Sequence, residues 1–143
     1  MASVSETPSI FSEHVWIRDL NTKRHRYLDA LDGAIPWRRL IQSLKPIYPT
    51  GERGRNPIPL ESMIRLHVYQ LSYELSDQQA IDDMVENRLV EAFCAWDITQ
   101  RPSLHRSTLG RFRKRIETHD KHSLFKEVVS EAHRSAGLAR PSH

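Results

Sequence analysis

Residues 60–96, LESMIRLHVYQLSYELSDQQAIDDMVENRLVEAFCAW, decide the fold class. Leu60, Met63, Ile64, His67, Val68 and Leu71 recur at i, i+3, i+4, i+7 spacing, with Glu61, Ser62 and Arg65 off the stripe. That periodicity predicts a helix from Pro59 to about Leu75, apolar on one side. Ser76-Asp77-Gln78-Gln79 then matches a capping box, in which the Ser hydroxyl and the Gln side chain satisfy each other's backbone N–H groups. Asp77 also suits the positive end of a helix dipole. Ile81, Met84, Val85 and Leu89 form the inner stripe of that second helix. The pattern continues through Ala92, Phe93 and Trp96, with a break expected near Asn87.

Outward from this stretch the pattern stays helical. Upstream, Leu20, Tyr27, Leu28 and Leu31 give a weak helical signal over 20–31. Trp37, Leu40, Ile41 and Leu44 give a clearer one over 36–45, with Pro36 at the first helical position and Pro46 stopping the run. Residues 46–59, PIYPTGERGRNPIP, hold too many prolines and glycines for a helix and carry Arg53 and Arg55. Downstream, Pro102 marks a loop, and HRSTLGRFRKRIETH (105–119) puts Leu109, Phe112 and Ile116 on one side. At ~100° per residue, Ser107, Arg111, Lys114 and Thr118 project from the other, with Arg115 close by and Arg106 and Arg113 at the flanks. Gly110 costs about 1 kcal/mol in a helix interior relative to Ala and removes a side chain where something can approach closely. A last helix over 121–136 turns Leu124, Phe125, Val128, Val129 and Ala132 inward and stops at Gly137. No stretch alternates as a strand does. The expected fold is all-α, about five or six helices with a helix-turn-helix-like unit. Residues 1–13 are expected to form a loose arm, 14–138 a single domain and 139–143 a tail. The expected core includes Trp37, Leu40, Met63, Ile64, Leu71, Ile81, Val85, Phe112 and Val128.

Composition narrows the function. A chain of 143 residues suits one domain. No apolar run nears the ~20 residues that span a bilayer, and the N-terminus lacks a basic start followed by an apolar stretch, so neither membrane nor secretory signal is expected. The single Cys94 excludes an internal disulfide and fits a reducing cytoplasm. The net charge of +3 is unevenly spread. Residues 74–97 hold seven acids against Arg88 alone, whereas 101–126 hold eight basic residues against two acids. Opposite blocks of this kind can place a basic face beside an acidic one.

The Ser/Thr/Arg/Lys face of 105–119 suits a helix that reads DNA, since Arg can donate twice to guanine in the major groove while Lys and Ser hold phosphates. Other constellations have plainer readings. His119 and His122 with Asp120 read as solvated rather than metal-bound, Cys94 as a core thiol, and His67 as packed on the apolar stripe. Arg65 reads as a surface ion pair with Glu61. Asp82, Asp83 and Glu86 read as the wet face of a helix, and Trp16, Trp37 and Trp96 as packing residues.

GRNPIPLESMIRLHVYQLSYELSDQQAIDDMVEN resembles the N-terminal region of insertion-sequence-five-type bacterial transposases, through Gly54, Arg55, Pro57, Pro59, Leu60, Met63, Arg65, Leu75, Ser76 and Asp77. IPWRRLIQSLKPIYP is similar to that family's Pro-Trp helix and Tyr-Pro exit. RSTLGRFRKRIE is similar to its Thr-rich helix through Ser107, Thr108, Leu109, Phe112 and Arg113. Where the family often has a Pro-Asp cap, this chain has Leu104-His105-Arg106, so Ser107 is expected to cap and the helix to start late. The resemblance implies binding to the double-stranded DNA of terminal inverted repeats. It places the metal-binding carboxylates of the DDE nuclease in a later ribonuclease-H-like domain, so no catalytic residue, metal or cofactor is expected in these 143 residues. The DNA contacts expected are Arg111, Lys114 and Arg115 with Ser107 and Thr108, plus Arg53 and Arg55 for phosphate or the minor groove. The competing expectation is a helical dimerisation module that pairs with itself or with full-length transposase.

Overall fold

The computed structural model describes residues 22–49, 58–101 and 103–143. Every regular element among them is helical: α1 (Lys23–Ala34), α2 (Trp37–Leu44), the 3₁₀ turn Lys45–Ile47, α3 (Leu60–Tyr73), α4 (Asp77–Glu86), α5 (Arg88–Phe93), α6 (Arg106–Thr118) and α7 (His122–Ser135). The helix beyond the expected six is α5, which arises at Asn87, the break the sequence suggests. The Asn87 backbone caps the end of α4, while its Oδ1 accepts from the N–H groups of Leu89 (2.8 Å) and Val90 (3.3 Å) to start α5.

α3 is the centre. Every residue from Ser62 to Gln70 is buried, so the apolar stripe widens to the whole circumference, as in a helix surrounded by others. It packs against α2, α4, α6 and α7. It ends at Tyr73 rather than Leu75. Glu74 takes the left-handed conformation (φ 56°), and the Leu75 N–H folds back onto the Gln70 carbonyl at 3.0 Å. The chain is then aimed straight into the capping box, where Ser76 Oγ accepts from Gln79 N–H (3.1 Å) and Gln79 Oε1 from Ser76 N–H (3.0 Å).

Leu40, Met63, Ile64, Ile81, Phe112 and Val128 are buried as expected. Trp37, Leu71 and Val85 are half-buried and pack against the core's edge instead. The Trp37 indole N–H donates to the Asp32 carbonyl (2.9 Å) and to its Oδ1 (3.1 Å). Pro36 is the N-cap of α2 rather than its first residue. Gly137 ends α7 with φ 64°. Trp16 lies outside the described residues.

Arg65 is not a surface residue. Its side chain is 4% exposed and bonds Asp32 Oδ1 (2.7 Å), Glu61 Oε2 (2.8 Å) and the Phe93 carbonyl (3.1 Å), with the guanidinium 4.1 Å over the Trp37 ring. Glu61 is the partner at i−4 that sequence spacing offers. Asp32 arrives from α1, and its approach takes the pair out of water.

Candidate nucleic-acid interface

α6 has four distinct sides. Leu109, Phe112 and Ile116 are buried against the core. Ser107, Arg111, Lys114 and Thr118 lie opposite and are exposed. Arg106, Gly110, Arg113 and Glu117 share the side towards α4, and Thr108 and Arg115 the remaining one.

The N-terminus of α6 differs from the expectation. His105, not Ser107, is the cap, and the helix begins at Arg106. The Ser107 backbone N–H donates to His105 Nδ1 at 3.1 Å. An accepting nitrogen carries no proton, so the Ser107 hydroxyl, 2.7 Å away, donates to the same atom. That leaves the hydroxyl oxygen free to accept from Arg111 Nη1 (3.4 Å), while Nη2 reaches Thr108 Oγ1 at the same distance. The imidazole thus organises the exposed polar end of α6, a role that Ser/Thr/Asp/Asn cap preferences do not reveal.

The α4 side is neutralised. Arg113 donates to Asp77 through Nη2 (2.8 Å) and Nε (3.3 Å), and Nη1 stands 3.9 Å from Glu117. A Cβ on Gly110 would stand 3.4 Å from Asp77 Oδ2, so the neighbour that comes close is this carboxylate. Asp77 also accepts from Gln70 Nε2 (2.7 Å), which fixes the Gln70 amide so that Oε1 accepts from His67 Nδ1 (3.0 Å). Burial alone would raise the Asp77 pKa, but the hydrogen bonds from Arg113 and Gln70 outweigh it and hold the carboxyl below its ordinary range. A chain of polar contacts therefore runs from the centre of α3 to the flank of α6.

Of the residues singled out for DNA contact, the structure brings Ser107, Thr108, Arg111, Lys114 and Arg115 together on α6, all exposed except half-buried Thr108. Arg53 and Arg55 lie outside the described residues. The ends of their segment are nevertheless tied, because the Tyr48 hydroxyl donates to the Ile58 carbonyl at 2.6 Å and the Tyr48 ring meets Phe112 of α6 edge-on at 5.9 Å.

Two further acids of α4 accept hydrogen bonds. Asp82 accepts from Gln78 (2.8 Å), and Asp83 from the Tyr69 hydroxyl (2.7 Å). Among the described residues, no three His, Cys, Asp or Glu side chains converge as metal ligands. Cys94 is fully buried, and burial pushes its thiol pKa well up. No described helix is long and apolar enough to cross a membrane.

What these features define, among the described residues, is an all-helical fold with a cationic helix face packed on a buried central helix. The chain belongs to the transposase domain family DUF772, whose model matches residues 15–115, and this ties it to transposition. The match runs through the exposed cationic face of α6 and ends at Arg115. No solved structure matches the chain.

Proposed function

We propose that this domain recognises double-stranded DNA at the terminal inverted repeats of a mobile element, with α6 in the major groove. It acts as the N-terminal part of a transposase. The observation that carries this reading is the solvent face of α6, where Ser107, Arg111, Lys114 and Thr118 stand exposed without an acidic side chain among them. Arg111 and Lys114 supply donors for base edges, and Ser107 and Thr108 steady Arg111. Arg53 and Arg55 are assigned to phosphate or minor-groove contact, in a segment whose two ends are fastened beside α6. The domain's part is recognition. Strand chemistry is assigned to a separate carboxylate-bearing domain of the transposase.

The test starts by selecting duplexes from a randomised pool with the purified chain, then titrating the selected and a scrambled duplex. Arg111→Ala or Lys114→Ala should each weaken binding to the selected duplex by about 1–3 kcal/mol and reduce discrimination between the two. Failure to enrich any sequence, with equal affinity for both duplexes that neither substitution alters, would favour a helical protein-interaction module over a DNA reader.

A further inference from the structure

A cleft of about 530 Å³ lies among α3, α4, α6 and α7, with the Asp77–Arg113 pair in its wall. Two helices begin at it: α4, through Ser76 and Asp77, and α7, through His122. Lys121, the N-cap of α7, makes no side-chain hydrogen bond, so the N–H groups of that first turn keep their partial positive charge.

Two residues of this cleft each hold a buried imidazole nitrogen, His67 Nε2 and His122 Nδ1, that has no hydrogen-bond partner among the described residues. Buried polar atoms left this way are uncommon, and two in the wall of one cleft point to a ligand that meets them. The state of His67, which is 0% exposed, follows from its neighbours. The Asp77 carboxylate can only accept, so the Gln70 amide turns its N–H to Asp77 (2.7 Å) and its Oε1 to His67 Nδ1 (3.0 Å). Nδ1 then carries the proton, and Nε2 offers a lone pair. A lone pair there is satisfied by an O–H or N–H donor or by a metal ion. Among the described residues, no three His, Cys, Asp or Glu side chains converge, so a metal ion would find too few ligands.

The charge of the cleft narrows the donor. Asp77 is engaged by Arg113 and Gln70, and Glu74 by Arg140 at 2.8 Å. Lys126, one turn after His122 on α7, lines the same cleft, is exposed, and has no acidic partner within ion-pairing distance among the described residues. A positive charge is therefore left over. Water can donate to Nε2 but leaves that charge unanswered. A phosphate group that still carries a proton answers both: its P–OH donates to His67 Nε2, while its charged oxygens accept from Lys126 and from His122 Nδ1–H. Sulfate at neutral pH and the phosphodiesters of a DNA backbone have no O–H to give.

We propose that this cleft binds a protonated phosphate group, as the free ion or as a monoester, through His67, His122 and Lys126. The proposal is independent of the reading of α6 as a DNA-recognition helix. A phosphate held there joins α7 to α3 and to the α4–α6 junction, so occupancy stabilises the fold.

The experiment follows thermal melts and calorimetric titrations of the full chain in phosphate-free buffer at pH 6.5, where part of each phosphate population keeps its P–OH. The probes are inorganic phosphate, a nucleoside 5′-monophosphate, and sulfate at matched ionic strength. The proteins are wild type, Lys126→Ala, His122→Ala and Arg134→Ala. Lys126 is exposed and His122 half-buried, so neither replacement empties the core, and the melts without ligand check that both variants fold. Millimolar phosphate should raise the wild-type midpoint by about 2–5 °C. Sulfate should bind at least about tenfold more weakly, since it leaves His67 Nε2 unmet. Lys126→Ala and His122→Ala should each weaken phosphate about tenfold or more, and Arg134→Ala should bind as wild type does. A response to inorganic phosphate alone would support a free-ion site, and a larger one to the monophosphate a site for a nucleotide's terminal phosphate. Equal binding of sulfate and phosphate, phosphate binding that survives both replacements, or no response to either phosphate would overturn the site.

Discussion

Arg65 and Asp32 bury opposite charges 2.7 Å apart, with side chains 4% exposed on each. Withdrawing charges from water costs several kcal/mol per ion, which the pair recovers only because Arg65 also satisfies Glu61 and the Phe93 carbonyl and stacks on Trp37. Removing one member leaves the other uncompensated. Arg65→Ala should therefore lower stability by about 3–5 kcal/mol in a urea titration. The double replacement Arg65→Met with Asp32→Leu should recover most of that loss, since it removes both fully buried charges and leaves only Glu61, whose side chain is 34% exposed, without its partner. A loss below about 1 kcal/mol for Arg65→Ala would show that water reaches the pair. Sequence spacing finds Glu61, one helical turn away, but Asp32 lies 33 residues earlier on another helix. No local periodicity reports a partner at that range, and so Arg65 reads as a surface residue until α1 is docked.

For α6, the phase of the helix was legible and its beginning was not. Leu109, Phe112 and Ile116 set an apolar period that leaves Ser107, Arg111, Lys114 and Thr118 outward, and the structure has them so. The cap escapes because cap preferences are tallied by residue type, whereas what matters is an acceptor at the right reach. His Nδ1 is bonded to Cγ, as is the Oδ1 of Asn or Asp, so His105 can place a lone pair where those residues would. Gly110 is likewise visible as an anomaly whose cause lies on α4. A glycine inside a helix costs about 1 kcal/mol relative to alanine. A Cβ there would meet Asp77 Oδ2 at 3.4 Å, in van der Waals contact with the carboxylate. Gly110→Ala should accordingly raise stability by up to about 1 kcal/mol, measured by thermal or urea unfolding. Gly110→Leu should instead cost about 1–3 kcal/mol by driving the Asp77–Arg113 pair apart. Equal effects of the two would mean that α4 and α6 are not held together at this point.

Across the molecule, the alternating charge blocks become neighbouring helices, with the acidic α4 packed directly beside the basic α6 and joined to it by Asp77 and Arg113. The His67–Gln70–Asp77–Arg113 chain carries that junction into the core, and its inner end makes folding sensitive to acid. His67 is wholly buried beside Phe125 and Phe112, its ring centroid 4.9 Å and 6.2 Å from theirs. Nδ1 donates to Gln70, and Nε2 has no partner among the described residues, so a second proton there would meet no acceptor. Burial is the main force pushing its pKa from 6.5 down to about 4; the hydrogen bond to Gln70 pulls back, the nearby charges of His122 and Arg113 push down by less, and Asp77 pulls up least. A depressed imidazole pKa means that the unfolded chain binds the proton more readily. The stability that His67 contributes is therefore complete above pH 6.5 and is lost as pH falls towards 4. A shift of this size corresponds to about 3 kcal/mol over that window. Asp77, also depressed but from the lower carboxylate range, loses its contribution only at still lower pH. Urea titrations at stepped pH should show wild type weakening steadily between pH 6.5 and 4, with His67→Gln less stable at neutral pH but nearly flat through the same interval. If both proteins lose the same stability over those steps, the acid sensitivity belongs to other groups and His67 remains accessible to protons in the native fold.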